Sequence, residues 1–287
     1  MIGKITKAQK EIYYVKSSDK TYMCKARGVF RNKNIKPLVG DNVEFSIREK
    51  DRGYIEKILE RKNEIKRPNI ANIDQILYFI TIKNPRLNLF NIDKYLAMCE
   101  YKKIDLVLVL SKKDLADKKD LDFIKMYEDI GYRLIFIDNY NDFPKKDILA
   151  ILSGKTSAVS GSSGVGKSTF LSNLIDKDIE IGSISQKSKR GKNTTRHVEI
   201  FSLDENTHIF DTPGFDSFDI DFIEDEKDLK YCFREFDNNS CKFNNCNHIN
   251  EPKCKVKEDV KIGKISNTRY ENYLILFEEI KKRRQKW

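Results

Sequence analysis

One eight-residue run, residues 161–168, constrains the fold of this chain more than any other feature. It reads G-S-S-G-V-G-K-S and matches the pattern G-x-x-x-x-G-K-[ST] in full. A β-prone run, residues 156–160, precedes it, and residues 169–175 follow it with helical apolar spacing. A strand, a glycine-rich loop and a helix in this order predict a phosphate-binding loop, in which backbone N–H groups surround phosphates. A chance match in a lysine-rich chain is the alternative, and the flanking strand and helix argue against it.

The motif gives its polar side chains distinct roles. Lys167 is predicted to reach the outer phosphates of a nucleotide, which makes it a candidate catalytic residue, and the Ser168 hydroxyl is predicted to bind Mg²⁺. The predicted phosphate-binding residues run from the end of the strand to the start of the helix: Ser160, Gly161, Ser162, Ser163, Gly164, Val165, Gly166, Lys167, Ser168 and Thr169.

A second motif follows the phosphate loop. Residues 198–203 and 208–210 read as two strands, and the second leads into Asp-Thr-Pro-Gly at residues 211–214. This run resembles the D-x-x-G switch of GTPases, whose aspartate holds the metal ion through water and whose glycine amide contacts the terminal phosphate. Asp211 and Gly214 are therefore predicted to bind nucleotide.

A base-reading motif is predicted upstream of the phosphate loop. The apolar run 104–110 leads into Ser111, Lys112, Lys113 and Asp114, which resemble the guanine-reading N-K-x-D motif. Asp114 would accept two hydrogen bonds from the guanine edge, a contact that adenine cannot make. A charged turn after a buried strand is the simpler alternative. Because Ser111 replaces the asparagine, we expect guanine preference to persist at reduced affinity.

The order of these motifs is inverted relative to an ordinary small GTPase, in which the phosphate loop comes first. A circular permutation gives this order without changing the site, because termini that lie close in space can be joined and the chain reopened elsewhere. On these motifs the chain resembles the RsgA (YjeQ) family of circularly permuted GTPases, which act on the small ribosomal subunit. The resemblance implies a multidomain fold: an N-terminal all-β OB-fold, a central α/β circularly permuted P-loop GTPase domain and a mainly helical C-terminal zinc-binding domain.

Composition changes suggest where these domains meet. The OB-fold domain is predicted over residues 1–66, the GTPase domain over 67–222 and the zinc-binding domain over 223–287. Pro68 follows a charged run at the first boundary, and the acidic stretch 219–228 marks the second.

Four potential metal ligands cluster near the C-terminal end with the spacing C-x4-C-x-H-x5-C: Cys241, Cys246, His248 and Cys254. Three thiolates and one imidazole form a closed tetrahedral set, which is typical of a structural Zn²⁺ site. A disulfide or unconnected thiols are the alternatives, and nothing suggests export to an oxidising compartment. Cys232 could substitute as a ligand, but we expect it, Cys24 and Cys99 to be buried apolar residues.

The positive charge is concentrated at the two ends of the chain. The net charge is +10; residues 1–66 hold 17 Lys and Arg against 9 Asp and Glu, and residues 223–287 hold 15 against 12. Basic ends around a near-neutral middle predict salt-sensitive binding to a polyanion. A solvated lysine-rich surface is the alternative. The family resemblance implies that the polyanion is the rRNA of the small ribosomal subunit.

The N-terminal region reads as short strands separated by turn signals, at residues 11–16, 21–26, 41–47 and 54–59. Such strands suit a small barrel, and one sheet face of an OB-fold commonly binds RNA. The candidate phosphate contacts are Arg27, Arg31, Lys33 and Lys36. Three aromatic residues could stack on bases, although aromatics that alternate along a strand are more often core: Tyr13, Tyr14 and Tyr22.

The last segment has apolar residues at helical spacing: Tyr270, Tyr273, Leu274, Phe277 and Ile280. We expect this helix to anchor the zinc-binding domain and its basic tip, residues 281–287, to contact RNA. A solvated tail favoured by the helix dipole is the alternative.

The catalytic residues depart from the usual pattern at two positions. Phe215 follows D-x-x-G, where many GTPases have a water-orienting glutamine. Asn193 occupies the place where the family is expected to have a histidine, so no catalytic histidine is assigned. Thr195 is the predicted switch threonine, which would bind Mg²⁺ and contribute to catalysis. We therefore expect the partner to complete the catalytic site.

Three hypotheses for function follow. The first is a GTPase that acts as a late assembly factor of the small ribosomal subunit, with GTP or GDP, Mg²⁺ and one Zn²⁺ bound, and with hydrolysis stimulated by the subunit. The second, favoured by Phe215 and Asn193, is a nucleotide-gated RNA-binding protein with incidental turnover. The third is an ATP-using phosphotransferase, against which Asp114 argues. The longest apolar runs are strand-sized, so we expect no membrane segment and a cytoplasmic monomer.

Overall fold

A computed structural model describes residues 1–28, 30, 35–66, 69–117, 121, 123–138, 143–174, 199–211, 223–236 and 240–285. The strands are β1 Ile2–Gln9, β2 Ile12–Ser17, β3 Lys20–Ala26, β4 Asn42–Glu49, β5 Arg52–Ile58, β6 Glu64–Lys66, β7 Asn69–Ala71, β8 Gln75–Ile80, β9 Asp105–Ser111, β10 Arg133–Ile137, β11 Thr156–Gly161, β12 Glu199–Ser202 and β13 His208–Asp211. The α-helices are α1 Leu89–Lys102, α2 Met126–Asp129, α3 Lys145–Leu152, α4 Lys167–Leu174, α5 Lys255–Lys261 and α6 Asn267–Arg284, with 3₁₀ helices at Lys113–Leu115 and Glu226–Cys232.

The chain divides into two compact units. The first unit comprises Met1–Phe79 and Asp138–Asp216, and the second comprises Ile80–Ile137 and Ser217–Trp287. The phosphate loop belongs to the first unit, whereas the base-reading motif and the Cys/His cluster belong to the second.

The first five strands close into a barrel. β1 pairs with β2 and β4, β2 with β3, and β4 with β5, all antiparallel, while β3 and β5 are parallel. Its interior is filled by one apolar cluster: Ile5, Tyr13, Val15, Tyr22, Cys24, Phe30, Val43, Phe45 and Ile55. The closed five-stranded barrel confirms the predicted OB-fold. Tyr13 and Tyr22 are core residues, which leaves Tyr14, half-buried, as the one member of that trio on the barrel surface.

β1 was not among the strands predicted from the sequence. Ile5 is its one fully buried residue, and lysines and other polar residues surround it. The alternation of apolar and polar residues that identifies a half-buried strand is therefore missing. β1 forms because it pairs on both sides, with β2 and with β4.

A parallel core continues the first unit beyond the barrel. β11 is parallel to β8 on one side and to β13 on the other, and all six of its residues are buried. β12 is antiparallel to β13, and the pair Lys7 and Glu199 joins β12 to the barrel strand β1. The carboxyl end of β11 leads into the phosphate loop, where ligands bind in open α/β sheets.

The second unit contains the parallel pair β9 and β10, with Ile137 opposite Ser111. Helix α1 begins after Asn88, whose side chain accepts a hydrogen bond from the Asn91 N–H at 3.1 Å. Its C-terminal cap is Lys103, which has the left-handed conformation (φ 54°). This helix therefore has a polar cap at its start and a left-handed turn at its end.

Buried ion pairs fix α6 to α1. The Arg269 guanidinium, only 2% exposed, contacts the carboxylates of Asp93 and Glu235. Asp93 also accepts hydrogen bonds from Asn272 Nδ2 at 2.6 Å and from the Tyr127 hydroxyl at 3.0 Å. Burial alone would lower the pKa of Arg269, but the two carboxylates raise it, so the guanidinium stays charged. Removal of one partner would leave a buried charge, at a cost of about 3–5 kcal/mol.

The described helices show no candidate for a membrane span. Crossing a bilayer requires a long and mostly apolar helix, and none of the helices in the described ranges meets both conditions. The longest of them, α6, has 18 residues and ends in four consecutive basic side chains, Lys281, Lys282, Arg283 and Arg284.

Candidate functional site

The phosphate loop turns sharply at glycines. Gly161 has a φ of +131°, and a Cβ added there would lie 2.3 Å from the carbonyl oxygen of Phe79. Gly164 and Gly166 also have positive φ values, of 80° and 95°. The left-handed region is open to glycine at little cost, whereas another residue would strain the loop. The loop conformation therefore depends on the glycines that the motif specifies.

Lys167 occupies the interior of the loop. Its ammonium donates hydrogen bonds to the carbonyl oxygens of Gly161 and, at 2.7 Å, Ser162. These contacts place a positive charge among the loop's backbone groups, where phosphate oxygens would bind. An anion that attracts the ammonium more strongly than these carbonyls would draw it away from them.

Helix α4 is anchored by an aromatic residue in its first turn. The Phe170 ring packs edge-on against Phe79 at 4.9 Å and against Phe143 at 5.7 Å between ring centroids. Ser168 is exposed in the same turn, beside the loop. The N-terminus of the helix, which carries the positive end of the helix dipole, is therefore packed in place at the end of the loop.

Strand β13 brings the switch aspartate near the phosphate loop. The backbone of Asp211 pairs with Val159, two residues before Gly161. Several residues of the predicted nucleotide site and of the basic cluster lie outside the described residues: Arg31, Lys33, Asn193, Thr195, Gly214 and Phe215.

The base-reading motif forms a short turn in the second unit. Ser111 is fully buried at the end of β9, and its hydroxyl is 3.5 Å from the carbonyl oxygen of Ile80. Lys112 adopts a left-handed conformation (φ 55°) and donates from Nζ to the carbonyl oxygen of Asn84 at 2.6 Å. Asp114 is exposed in the 3₁₀ helix that follows. Its carboxylate is therefore accessible to a ligand, as a base-reading residue requires.

Lys113 lies beside an aromatic residue of the neighbouring strand. Its ammonium is 5.6 Å from the centre of the Phe136 ring, which belongs to β10. An ammonium above a ring face is stabilised by the ring quadrupole. This contact thus holds Lys113 beside the carboxyl ends of β9 and β10.

The structure brings the four predicted metal ligands together. The ligand atoms of Cys241, Cys246, His248 and Cys254 lie within 4.8 Å of one another. His248 Nδ1 is 3.3 Å from Cys254 Sγ and 3.5 Å from Cys241 Sγ, and the two sulfurs are 3.9 Å apart. These separations suit four atoms around one ion at the distances that Zn²⁺ prefers. The cluster is consistent with a zinc site.

The alternatives for the cysteines are not supported. All six cysteines are free, so the cluster contains no disulfide. Cys24, Cys99 and Cys232 are buried, as predicted. Cys232 does not join the ligand set; its thiol is 3.7 Å from the carbonyl oxygen of Asp228. Burial raises its pKa to about 12, which favours an inert thiol.

Burial shifts the pKa values of three of the four donors in the cluster. Burial raises the pKa of Cys246 to about 12 and also raises that of Cys254, so these groups are thiols unless a cation compensates their charge. Burial lowers the pKa of His248 to about 4, which keeps the imidazole neutral. Neutral imidazole and thiolate are the forms that bind a divalent metal ion. The donor set could therefore hold a metal ion.

Side chains from outside the metal-binding loop, residues 241–254, hold its backbone. Four consecutive carbonyl oxygens, those of residues 246–249, each accept a hydrogen bond from a different side chain. The donors are Lys230 at 3.0 Å, Tyr273 at 2.6 Å, Tyr270 at 2.6 Å and Lys257 at 3.0 Å. His248 itself has a φ of +60°, which is uncommon for a side chain of its size. The surrounding helices therefore impose a conformation that the loop would not favour alone.

The basic tip of α6 has partners within the second unit. Arg284 forms ion pairs with Asp225 at 3.2 Å and with Glu226 at 3.1 Å, and Arg283 donates to the carbonyl oxygen of Ile223. Both arginines thus contact the segment that follows the predicted second switch. The sequence did not indicate these contacts, because Glu226 is 58 residues from Arg284 and local spacing carries no signal for such a pair.

Comparisons with known proteins extend these observations. A family model for the RsgA GTPase matches residues 58–221, and a model for the RsgA N-terminal domain matches residues 2–55. A Clostridium perfringens strain 13 protein named small ribosomal subunit biogenesis GTPase RsgA is 44% identical over 288 residues, which cover 99% of each chain. A protein of the same name from Clostridium botulinum strain 657 is 43% identical, over 100% of this chain and 99% of that one.

Two solved structures are similar to the whole chain. YjeQ from Thermotoga maritima has a TM-score of 0.81 and 32% identity, over 97% of this chain and 98% of that chain. YloQ, a circularly permuted GTPase, has a TM-score of 0.78 and 35% identity, over 98% of this chain and 95% of that chain. The permuted motif order predicted from the sequence therefore matches that of a structurally characterised relative.

Proposed function

The chain belongs to the RsgA family of GTPases and is a GTP hydrolase, and we propose that it acts as a late assembly factor of the small ribosomal subunit. The full-length similarity to relatives named for that process carries the proposal. In this proposal the subunit stimulates hydrolysis, and hydrolysis is coupled to release of the protein from the subunit.

The phosphate loop binds the nucleotide in this proposal. Lys167 leaves the carbonyls of Gly161 and Ser162 and contacts the outer phosphates, while the loop amides and the start of α4 bind the remaining phosphate oxygens. Ser168 and Thr195 would hold Mg²⁺, which neutralises phosphate charge when bound. The exposed position of Ser168 beside the loop supports its part.

Guanine selection is assigned to Asp114. Its exposed carboxylate accepts two hydrogen bonds from guanine, which presents two N–H groups side by side. Adenine does not present such a pair. The small Ser111 side chain lies near the Ile80 carbonyl oxygen, so it contributes little to the affinity for the base. Lys112 and Lys113 complete the base site. Guanine preference follows from Asp114, with an affinity reduced by the serine.

The attacking water lacks an obvious orienting residue. Phe215 has no hydrogen-bonding group, and Asn193 is not a general base. Phosphoryl transfer depends mainly on positioning and charge stabilisation, so a missing orienting group makes hydrolysis slow. We therefore assign the missing contribution to the small subunit, which explains why turnover should depend on the partner.

The two basic end domains bind rRNA in this proposal. They are the OB-fold domain, residues 1–66, and the zinc-binding domain, residues 223–287, where Cys241, Cys246, His248 and Cys254 hold one structural Zn²⁺. The net positive charge of both segments supports a polyanionic partner. The protein works as a cytoplasmic monomer.

The test is GTP turnover by the purified protein with and without purified small subunits, with ATP as the control nucleotide and at several salt concentrations. We expect a large stimulation that is specific to GTP and that falls as salt rises. Tight binding to the subunit without stimulation would instead support the second candidate, a nucleotide-gated RNA-binding protein with incidental turnover. Phe215 and Asn193 favour that candidate.

A further inference from the structure

An open pocket of about 570 Å³ lies on the outside of the OB-fold barrel. It is lined by Ala26, Arg27 and Gly28 at the end of β3, Arg48 on β4 and Tyr54 on β5. Sites for small ligands commonly have volumes of about 300–1,000 Å³. The sequence pointed to Arg27 as a phosphate contact but not to Arg48 or Tyr54, whose approach to Arg27 results from the strand pairing.

Tyr54 presents its ring to solvent. Its neighbours on β5, Gly53 and Ile55, face the barrel interior, whereas Tyr54 is 41% exposed. Its strand partners, Lys25 on β3 and Ser46 on β4, are not aromatic and do not cover the ring with apolar surface. An exposed ring on an OB-fold strand is a platform on which a base can stack, at about 1–3 kcal/mol for each base.

The two arginines of the pocket differ in their partners. Arg27 donates from Nε to Glu56 at 2.7 Å, which orients its guanidinium and neutralises part of its charge. Arg48 is exposed and forms no ion pair with any residue that the structure describes. A guanidinium matches the geometry of phosphate oxygens and can bind two of them at once. Arg48 therefore supplies the uncompensated positive charge of the pocket.

We propose that this pocket binds one unpaired nucleotide of an RNA strand. The base stacks on Tyr54, and Arg48 and Arg27 contact the adjacent phosphates. The combination of one aromatic platform with two guanidinium groups suits a nucleotide, which has both a base to stack and phosphates to bind. This inference rests on the proposed function, since it locates the contact between the barrel and rRNA.

The experiment measures binding of a fluorescein-labelled, mixed-sequence single-stranded RNA of 12 nucleotides to the full chain saturated with GDP. We expect Arg48→Ala and Tyr54→Ala each to weaken binding by about tenfold, which corresponds to about 1.4 kcal/mol. Tyr54→Phe should bind as the wild type does, because it keeps the stacking surface. Arg48→Ala should also reduce the slope of log affinity against log salt by about 0.7.

Arg52→Ala is the matched control. Arg52 lies on the same strand as Tyr54, its side chain is 70% exposed and it does not line the pocket. Its removal changes the net charge by the same amount as Arg48→Ala, and we expect a loss of less than about threefold. Circular dichroism and thermal unfolding of each variant check that the barrel is folded.

Three outcomes would overturn the proposal. One is that Arg48→Ala and Tyr54→Ala lose no more RNA affinity than Arg52→Ala. Another is that these variants keep full RNA affinity but lose binding to small subunits, which would assign the pocket to a ribosomal protein. The third is displacement of the RNA by free AMP at micromolar concentration, which would identify a site for a free nucleotide. If the wild type bound neither RNA nor subunits, the proposed function itself would fail.

Discussion

The phosphate loop and the metal-binding loop are both short and irregular, but their backbones are stabilised in opposite ways. In the phosphate loop, Gly161 and Gly164 provide the turns, and Lys167 from the same motif binds the loop's own carbonyl groups. In the metal-binding loop, four consecutive carbonyl groups are each bound by a side chain from a different position in the chain.

This difference suits the two ligands that we propose, a nucleotide that binds and leaves and a structural ion that stays. The phosphate loop has a lysine bound to its own carbonyl groups, which could move to a phosphate when a nucleotide binds. The backbone of the metal-binding loop is held by side chains of the 3₁₀ helix Glu226–Cys232, of α5 and of α6, which suits a structural ion. A substitution in the phosphate loop should therefore change nucleotide binding and hydrolysis but not the fold. A substitution in the metal-binding loop should also destabilise the helices that pack against it.

The largest effect is expected at the metal cluster. Cys254→Ser should abolish stoichiometric metal binding and loosen α5 and α6, because structural zinc contributes about 10–16 kcal/mol of apparent binding free energy in small domains. Metal content by elemental analysis and thermal unfolding measure the result. Cys232→Ser is the matched control, since Cys232 is buried but lies outside the cluster. Retention of metal by Cys254→Ser, or its loss from Cys232→Ser, would contradict the assignment.

The next effect is expected at Lys167. Lys167→Ala should reduce single-turnover GTP hydrolysis by about 100- to 1,000-fold, because it removes a charge that stabilises the transition state. Metal content and the thermal midpoint should stay unchanged if the phosphate loop is independent of the cluster. Lys146→Ala, an exposed lysine of α3, provides the control. A comparable loss of activity in both variants would show that Lys167 has no specific part in hydrolysis.

The base-reading turn should behave like the phosphate loop: a substitution there should change which nucleotide binds but leave the fold intact. Asp114→Asn should weaken GTP binding by roughly 30- to 100-fold, since hydrogen bonds to a charged group contribute about 2–3 kcal/mol. It should improve XTP binding, because xanthine offers an acceptor where guanine has its amino group. Competitive binding with GTP, XTP and ATP measures the shift. Unchanged GTP affinity would refute the assignment.

The smallest effect is expected at the side chains that hold the metal-binding loop, not at its metal ligands. Tyr273→Phe should destabilise the second unit by about 1 kcal/mol, because the half-buried Asn247 carbonyl loses its donor. The metal ion should remain bound but exchange faster with a chelator. Tyr231→Phe, at a side chain 64% exposed, should leave both properties unchanged. Identical chelation rates in the two tyrosine variants would show that the hydroxyl does not hold the loop.

The sequence predicted what local spacing can encode. The glycines of residues 161–168 and the spacing of Cys241 to Cys254 identify both loops because their chemistry depends on residues near one another in the chain. The side chains that hold the metal-binding loop could not be predicted in this way, because Tyr273 is 26 residues from the carbonyl that it binds.

Buried charges on amphipathic helices are equally hard to predict. Arg269 and Asn272 occupy positions that the apolar pattern of α6 would leave to solvent, and their partner Asp93 is 176 residues from Arg269. Only the tertiary fold creates that ion pair. The strand β1 shows the same limit, because pairing on both sides replaces the missing apolar alternation.

Hydrogen exchange of the full chain, measured by mass spectrometry, tests the contrast between the two loops most directly. The Asn247 and Ile249 amides already donate to Glu251 at 2.8 and 2.9 Å, so residues 246–249 should exchange slowly with or without nucleotide. Residues 161–168 should exchange fast in the free protein and slow strongly with GDP and Mg²⁺. A zinc chelator should accelerate residues 246–249 and the helices that hold them, but not residues 161–168. Protection of residues 161–168 without nucleotide, or chelator-insensitive protection of residues 246–249, would contradict the account.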